Sequence, residues 1–137
     1  MSIEYYGDKS VPTAIVIRKN FESDGIKFFS PVDYPQQLGY MKRPAGYEVV
    51  PHRHNQIPRT IENTQEVLLI RSGECMVTLF NDFNVPTDTI SLSDGDIIFL
   101  AKGGHGIQMK TECQIIEIKQ GPYLSDMDKT AIKLEQN

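Results

Sequence analysis

The sequence has few of the residues that most often carry specialised chemistry. Among its 137 residues there are no tryptophans, two cysteines and three histidines. Cys75 and Cys113 lie far apart in the chain, whereas a metal clip or a redox couple usually requires a close pair. Each cysteine stands inside an apolar run, so we expect two buried thiols rather than a disulfide.

Long apolar runs and an excess of basic residues are also missing. No stretch approaches the roughly 20 apolar residues that a membrane helix needs, and MSIEYYGDKS is too polar for the apolar part of a signal peptide. Lys and Arg number 14 against 18 Asp and Glu, for a net charge of -4. Such a chain has no basic stripe for nucleic acid. We therefore expect a cytoplasmic protein with neither a membrane nor a nucleic-acid partner.

Most of the chain consists of short apolar runs and shows no helical periodicity. Gly, Pro, Asn and Asp bound these runs, which is typical of strands joined by turns. We predict strands at TAIVIRK, IKFF, LGYMK, YEVV, EVLLIR, CMVTLF, TISLS, DIIFLA, GIQMK and CQIIEIK. Phe99 and Leu100 are expected in the core. Strands without intervening helices predict one all-β domain, folded as a sandwich or a barrel.

The two ends of the chain differ from its apolar middle. Residues 122–137 are polar and lose the alternation, so we expect a short strand or turn followed by a frayed end. Near the other end, TAIVI (residues 13–17) is suited to pairing with the sheet of a second copy. Because a small barrel leaves sheet edges that another chain can complete, we predict a homodimer.

Two of the three histidines stand one residue apart in the stretch GYEVVPHRHNQ, at His52 and His54. If this stretch is a strand, both side chains face the same side. Two imidazoles on one face can share a metal ion. The alternative is an ordinary strand that happens to carry two histidines, and the HRH triplet alone does not decide between them.

The wider pattern around these histidines resembles the cupin superfamily. Its first motif, a glycine, His-x-His, a glutamate and a second glycine, is matched over residues 46–73 by Gly46, His52, His54, Glu66 and Gly73. Its second motif is matched over residues 95–109 by Gly95, Gly103 and His105. LGYMKRP, TQEVLLIRSG and KQGPYLSDMDKT are also similar to small single-domain bacterial cupins of undefined activity.

The resemblance implies a single cupin domain over residues 1–137, folded as a double-stranded β-helix, the jelly-roll barrel. It also implies one divalent transition metal, Fe, Mn, Ni, Co or Zn, held by His52, His54, Glu66 and His105. Gln65 is the alternative fourth ligand, because a shift of one residue would turn it toward the metal in place of Glu66.

The segment from Asn55 to Gln65 is longer than the usual gap between the histidine pair and the glutamate. We predict that it forms a hairpin that borders the metal pocket and controls entry to it. Arg59 within it is a candidate for pairing with an anionic ligand, and the alternative is an ordinary surface arginine. Three residues before the histidine pair are candidates for lining the pocket mouth: Tyr40, Arg43 and Tyr47.

Three functions compete for such a protein. The first is a metal-dependent isomerase, lyase or dioxygenase that acts on a small polar, possibly sugar-like, molecule. The second is a module that binds a small molecule at the metal without turnover. The third is a metal-free sugar epimerase or isomerase of cupin fold, which would use a histidine base and a tyrosine acid. The sequence does not choose between the first two, since one fold hosts many chemistries.

Overall fold

The computed structural model describes residues 3–134 and consists almost entirely of β-strands. Within this range there are ten strands and one 3-10 helix. The strands are β1 (Ile3–Asp8), β2 (Val11–Ile17), β3 (Gly25–Phe28), β4 (Gly39–Lys42), β5 (Glu66–Ser72), β6 (Cys75–Phe80), β7 (Pro86–Leu92), β8 (Ile97–Leu100), β9 (Gly104–Met109) and β10 (Gln114–Lys119). The 3-10 helix spans Ser125–Asp128. The predicted all-β class is confirmed.

The strands form three antiparallel sheets. The largest has the order β1, β2, β8, β5, β10, the second has the order β7, β6, β9, and β3 pairs with β4 alone. None of the three sheets closes on itself, so β1, β10, β7 and β9 are edge strands. Every predicted strand is present except YEVV, and β1 is a strand that the alternation did not predict.

The main core lies between the five-stranded and three-stranded sheets. It is made of buried side chains from β2, β5 and β8 on one side and β6 and β7 on the other: Ala14, Val16, Leu68, Ile70, Cys75, Val77, Leu79, Ile90, Leu92, Ile98 and Leu100. A second cluster covers the outer face of the five-stranded sheet, with Ile15, Ile17, Leu38, Phe99 and Ala101. The predicted burial of Phe99 and Leu100 is confirmed.

Alternation along β5 determines which of its residues face the opposing sheet. Leu68 and Ile70 are buried in the main core, whereas Val67 packs against the second cluster on the outer face. Successive side chains of a strand point to opposite faces, so Glu66 shares the inner face with Leu68 and Ile70. Glu66, and not Gln65, therefore lies on the face of β5 that is directed toward the main core. Burying each of these aliphatic side chains contributes about 2 kcal/mol, which opposes a slip of one residue.

Residues 43–64, here called the arm, connect β4 to β5 without forming a strand or a helix. Every residue of the arm is exposed. The predicted strand at YEVV and the predicted hairpin over Asn55–Gln65 are therefore wrong. Pro44, Pro51 and Pro58 divide the arm, and no strand within residues 3–134 pairs with it. Because proline lacks an amide hydrogen, each can stand in a strand only where its nitrogen points away from the neighbouring strand.

The N-terminal prediction about strand pairing is also corrected. TAIVI lies in β2, and both edges of β2 are occupied, because β1 pairs with one and β8 with the other. This stretch therefore has no free edge for a second copy. At the other end, the predicted turn corresponds to the 3-10 helix, and residues 135–137 of the expected frayed end lie outside the described residues.

Both cysteines are free thiols, with Cys75 buried and Cys113 half-buried. Cys75 belongs to the main core, and the Cys113 thiol lies 3.1 Å from the carbonyl oxygen of Glu74. The expectation of two thiols is confirmed, although only Cys75 is fully buried. Nowhere in residues 3–134 is there a helix with the length and apolar character needed to cross a membrane.

Candidate functional site

Glu66 and His105 meet across the space between the two larger sheets. Oε1 of Glu66, at the start of β5, lies 2.6 Å from Nε2 of His105, at the start of β9. His105 faces inward because it pairs with Leu79 of β6, a main-core residue on the same face. The fold thus brings together two polar side chains that are 39 positions apart in the chain. They lie at one end of the apolar core.

The two side chains of this pair differ in their exposure to solvent. The side chain of Glu66 is 12% exposed and that of His105 is 34% exposed. The hydrogen bond with His105 lowers the pKa of Glu66 to about 2, although burial acts in the opposite direction. Glu66 is therefore an anion at neutral pH. A half-buried carboxylate beside an imidazole can hold a cation or position the imidazole as a base.

Two further ionisable residues reach the same site from β10. β10 pairs with β5 so that Glu117 is opposite Leu68 and Lys119 is opposite Glu66, which places both side chains on the inner face. The Glu117 carboxyl hydrogen-bonds to Glu66, and this bond raises the pKa of Glu117. Lys119 acts on Glu66 through its positive charge. The site therefore combines two carboxyls, one imidazole and one amine.

Glu117 and Lys119 were not among the residues predicted from the sequence. The alternation in CQIIEIK shows that they share one face of β10. What the sequence does not show is that β10 pairs with β5 rather than with another strand, because strand pairing between distant segments depends on the whole fold.

Gln65 is surrounded by different residues from those around Glu66, its neighbour in the chain. It is buried, with 4% of its surface exposed, and its side-chain oxygen accepts a hydrogen bond of 3.2 Å from the amide of Gln36. Its own amide donates to the side-chain oxygen of Gln120 at 2.7 Å, and the Gln120 side chain donates to that of Gln36. Gln65 thus joins three segments away from the Glu66–His105 pair.

His52 and His54 lie on the exposed arm. Their ring centroids are 5.3 Å apart, and Nδ1 of His52 is 2.7 Å from the carbonyl oxygen of Val50. The structure therefore places the four predicted metal ligands as two pairs, one on the arm and one between the sheets. Within residues 3–134, no group of three or more His, Cys, Asp or Glu side chains is arranged to hold a metal ion.

The remaining predicted pocket residues lie on β4 and along the arm. Tyr40 packs edge-on against Phe21, with ring centroids 5.1 Å apart. The Arg43 guanidinium lies over the ring of Tyr47, 4.5 Å from its centroid. Arg59 is exposed in the arm. These residues line neither of the two pockets described for residues 3–134.

One of these pockets includes Lys119, the last residue of β10, in its lining. It encloses about 360 Å³ and is lined by residues 119–126, 128 and 129, which follow directly from β10. Lys119 is both a lining residue and the strand partner of Glu66. Where the arm enters β5, the Thr64 hydroxyl donates a 2.6 Å hydrogen bond to Asp128 of the same wall. The pocket wall therefore contacts the end of the arm through Asp128 and includes Lys119 of the ionisable residues.

Comparison with protein-family models, curated proteins and solved structures finds no significant match to this chain.

Proposed function

We propose that this chain is a small cupin that binds one divalent metal ion and, at that ion, a small polar molecule. The observation that carries the proposal is the contact between Glu66 and His105. These residues come from the two separate motifs of the sequence, and their side chains converge to 2.6 Å at one end of the core. Convergence of two donor atoms from distant segments is what a metal site built between two sheets requires.

The backbone at the motif glycines supports the proposed jelly-roll fold. Four motif glycines have positive φ: Gly46 (84°), Gly73 (96°), Gly95 (85°) and Gly103 (80°). Glycine adopts this conformation with little strain, so these four motif positions suit glycine, as do Gly7 and Gly25 outside the motifs. Two antiparallel sheets packed face to face also agree with the layered architecture of a jelly roll.

The donor set fits Fe, Mn, Ni, Co or Zn in chemical type, because it consists of imidazole nitrogens and one carboxylate. Glu66 and His105 would hold the ion from the core, and His52 and His54 would supply the other two imidazoles from the arm. The ion would act as a Lewis acid toward an oxygen of the bound molecule. On the same face, Lys119 would donate hydrogen bonds to polar groups of that molecule, and the Glu117 carboxylate would accept them.

A second candidate function is metal-free acid-base chemistry at the same pair. Nε2 of His105 donates to the Glu66 carboxylate, which orients the ring. A carboxylate that orients an imidazole is a common way to position a general base. This candidate needs no contribution from His52 or His54, which provides the means to separate it from the first. A module that binds without turnover would show the metal and the ligand but no reaction.

Elemental analysis of the purified protein tests the proposal directly. We expect about one equivalent of a divalent metal, or uptake of one equivalent when each of the five candidate metals is added separately. Thermal shift with sugar nucleotides and keto acids, with and without the metal, then identifies the ligand class. His105→Ala and the double variant His52→Ala, His54→Ala should both lose the metal. A wild-type protein that takes up none of the five metals, yet shifts with a ligand, supports the metal-free candidate instead.

A further inference from the structure

The arm exposes large apolar side chains to solvent. Five of them are at least 42% exposed: Tyr47, Val49, Val50, Ile57 and Ile61. Across residues 48–63 of the described structure, no backbone amide donates to a backbone carbonyl. A stretch with this composition normally buries its apolar side chains and pairs its amides.

One edge of the three-stranded sheet lacks a neighbouring strand. Within residues 3–134, β9 pairs with β6 on one side only, and its other edge has no strand partner. Ile107 and Met109 share the inner face of β9 with His105, yet they are 37% and 51% exposed. Their strand partners Val77 and Cys75 are fully buried. The inner face of the three-stranded sheet is therefore covered along β6 and exposed along β9. One more strand beside β9 would cover the exposed part.

We propose that the arm of one copy pairs with the free β9 edge of a second copy, and that the exchange is reciprocal. Each copy offers both an unpaired arm and an unpaired edge, which is the condition for a two-fold symmetric interface. Strand addition to an open edge satisfies the backbone groups of both partners. The arm holds 22 residues between its fixed ends, so as an extended loop it reaches about 35 Å out and back. That distance is sufficient to reach a neighbouring subunit.

The exchange would complete the metal site, and this part rests on the proposed function. In an added strand Val50, His52 and His54 lie on one face, because they are two residues apart. If that face points inward, Val50 covers the apolar inner face of the partner's β9. His52 and His54 then stand beside the partner's His105, at the spacing of cross-strand neighbours. Each metal site would therefore take two ligands from each copy.

Sedimentation of the full-length chain tests the exchange without reference to metal. We expect a dimer in the presence of a chelator, and we expect Val50→Lys to weaken the dimer at least tenfold, because it places a charge on the buried face. Val32→Lys is the matched control, since Val32 is 97% exposed and lies outside the arm. A wild-type chain that sediments as a monomer at micromolar concentration overturns the proposal. So does a dimer that Val50→Lys and Val32→Lys affect equally.

A mixed dimer tests the shared site. One chain carries His52→Ala and His54→Ala, the other carries His105→Ala, and different tags allow the mixed dimer to be purified and loaded with Zn²⁺. If each site is shared between the copies, one site of the mixed dimer contains all four natural ligands and the other contains almost none. We expect about half the wild-type zinc content for the mixed dimer and almost none for either parent variant.

The possible failures can be told apart. If the wild type binds zinc and the mixed dimer binds none, each site is built within one chain and the proposal is overturned. If the wild type takes up no metal, the proposed function fails, and the sedimentation result still decides whether the arms are exchanged. Zinc bound by either parent variant at the wild-type level would also overturn the shared site.

Discussion

Gln65 and Glu66 are adjacent in the chain but belong to different parts of the molecule. Glu66 contacts His105 between the two larger sheets, whereas Gln65 is tied to the amide of Gln36 and the side chain of Gln120. The alternation of β5 separates them, since neighbouring residues of a strand face opposite sides. Two polar residues that are adjacent in the sequence therefore face different parts of the structure.

Replacing these two residues separately should give opposite results. Glu66→Gln keeps the volume but removes the charge, so we expect metal affinity to fall about tenfold while the protein stays folded. Gln65→Ala should leave metal content unchanged and lower the free energy of unfolding by about 1–2 kcal/mol, because a buried hydrogen bond is lost. Metal content after dialysis and urea denaturation measure the two effects. Full metal occupancy in Glu66→Gln with loss in Gln65→Ala would make Gln65 the ligand.

Gly73 should be the least replaceable glycine of the motif positions. Its φ is 96°, and a Cβ at this position would collide with the carbonyl oxygen of Glu112 and with Cys113. We expect Gly73→Ala to lower the free energy of unfolding by about 3 kcal/mol, from backbone strain and overlap together. Gly46→Ala is the control, because Gly46 has a φ of 84° and open space around it, and only about 1 kcal/mol is expected. Equal losses in thermal or urea unfolding would contradict this account.

Stability in mild acid should depend on Glu4. The Glu4 carboxylate accepts bonds of 2.6 and 3.0 Å from Arg18 and one of 2.7 Å from the Tyr6 hydroxyl, and the bond from Arg18 lowers the pKa of Glu4. A lowered pKa in the folded state means that the stabilisation is complete above the ordinary value of 4.5. It is lost as the pH falls through the folded value.

Glu4→Gln should therefore lower the free energy of unfolding by about 1 kcal/mol at neutral pH, a figure reduced for partial exposure of the pair. The difference between variant and wild type should shrink as the pH drops below about 4.5. Glu22→Gln, in the exposed ion pair with Lys42, is the control and should have a much smaller effect. Urea unfolding from pH 7 to pH 3 measures both, and a difference that grows in acid would refute the assignment.

The inner face of β5 should be more sensitive to small losses of volume than the outer face of β10. Ile70 is fully buried, whereas Ile118 is 58% exposed. Ile70→Val should cost about 1 kcal/mol of the free energy of unfolding, because it leaves a small cavity in the main core. Ile118→Val should stay within about 0.5 kcal/mol of the wild type. Comparable losses in the two variants would mean that Ile118 is covered by another surface in solution.

Most strands could be predicted from the sequence because the patterns that indicate a strand are local. Apolar alternation and turn residues indicate the strands, and the alternation in EVLLIR places Glu66 on the inner face before any partner is known. The same reasoning failed for YEVV. Its β-branched residues favour a strand, but a strand also needs a neighbour with a free edge, and the described chain gives the arm none.

The sequence by itself determined the all-β class, the positions of most strands and the burial of Phe99 and Leu100, since each depends on side-chain periodicity. Only the tertiary structure decided that β10 lies beside β5 and brings Glu117 and Lys119 to Glu66. Only the tertiary structure placed His52 and His54 on an exposed arm, away from the core pair. Both results depend on pairing between distant segments, where loop closure and the competition among strand edges outweigh local preference.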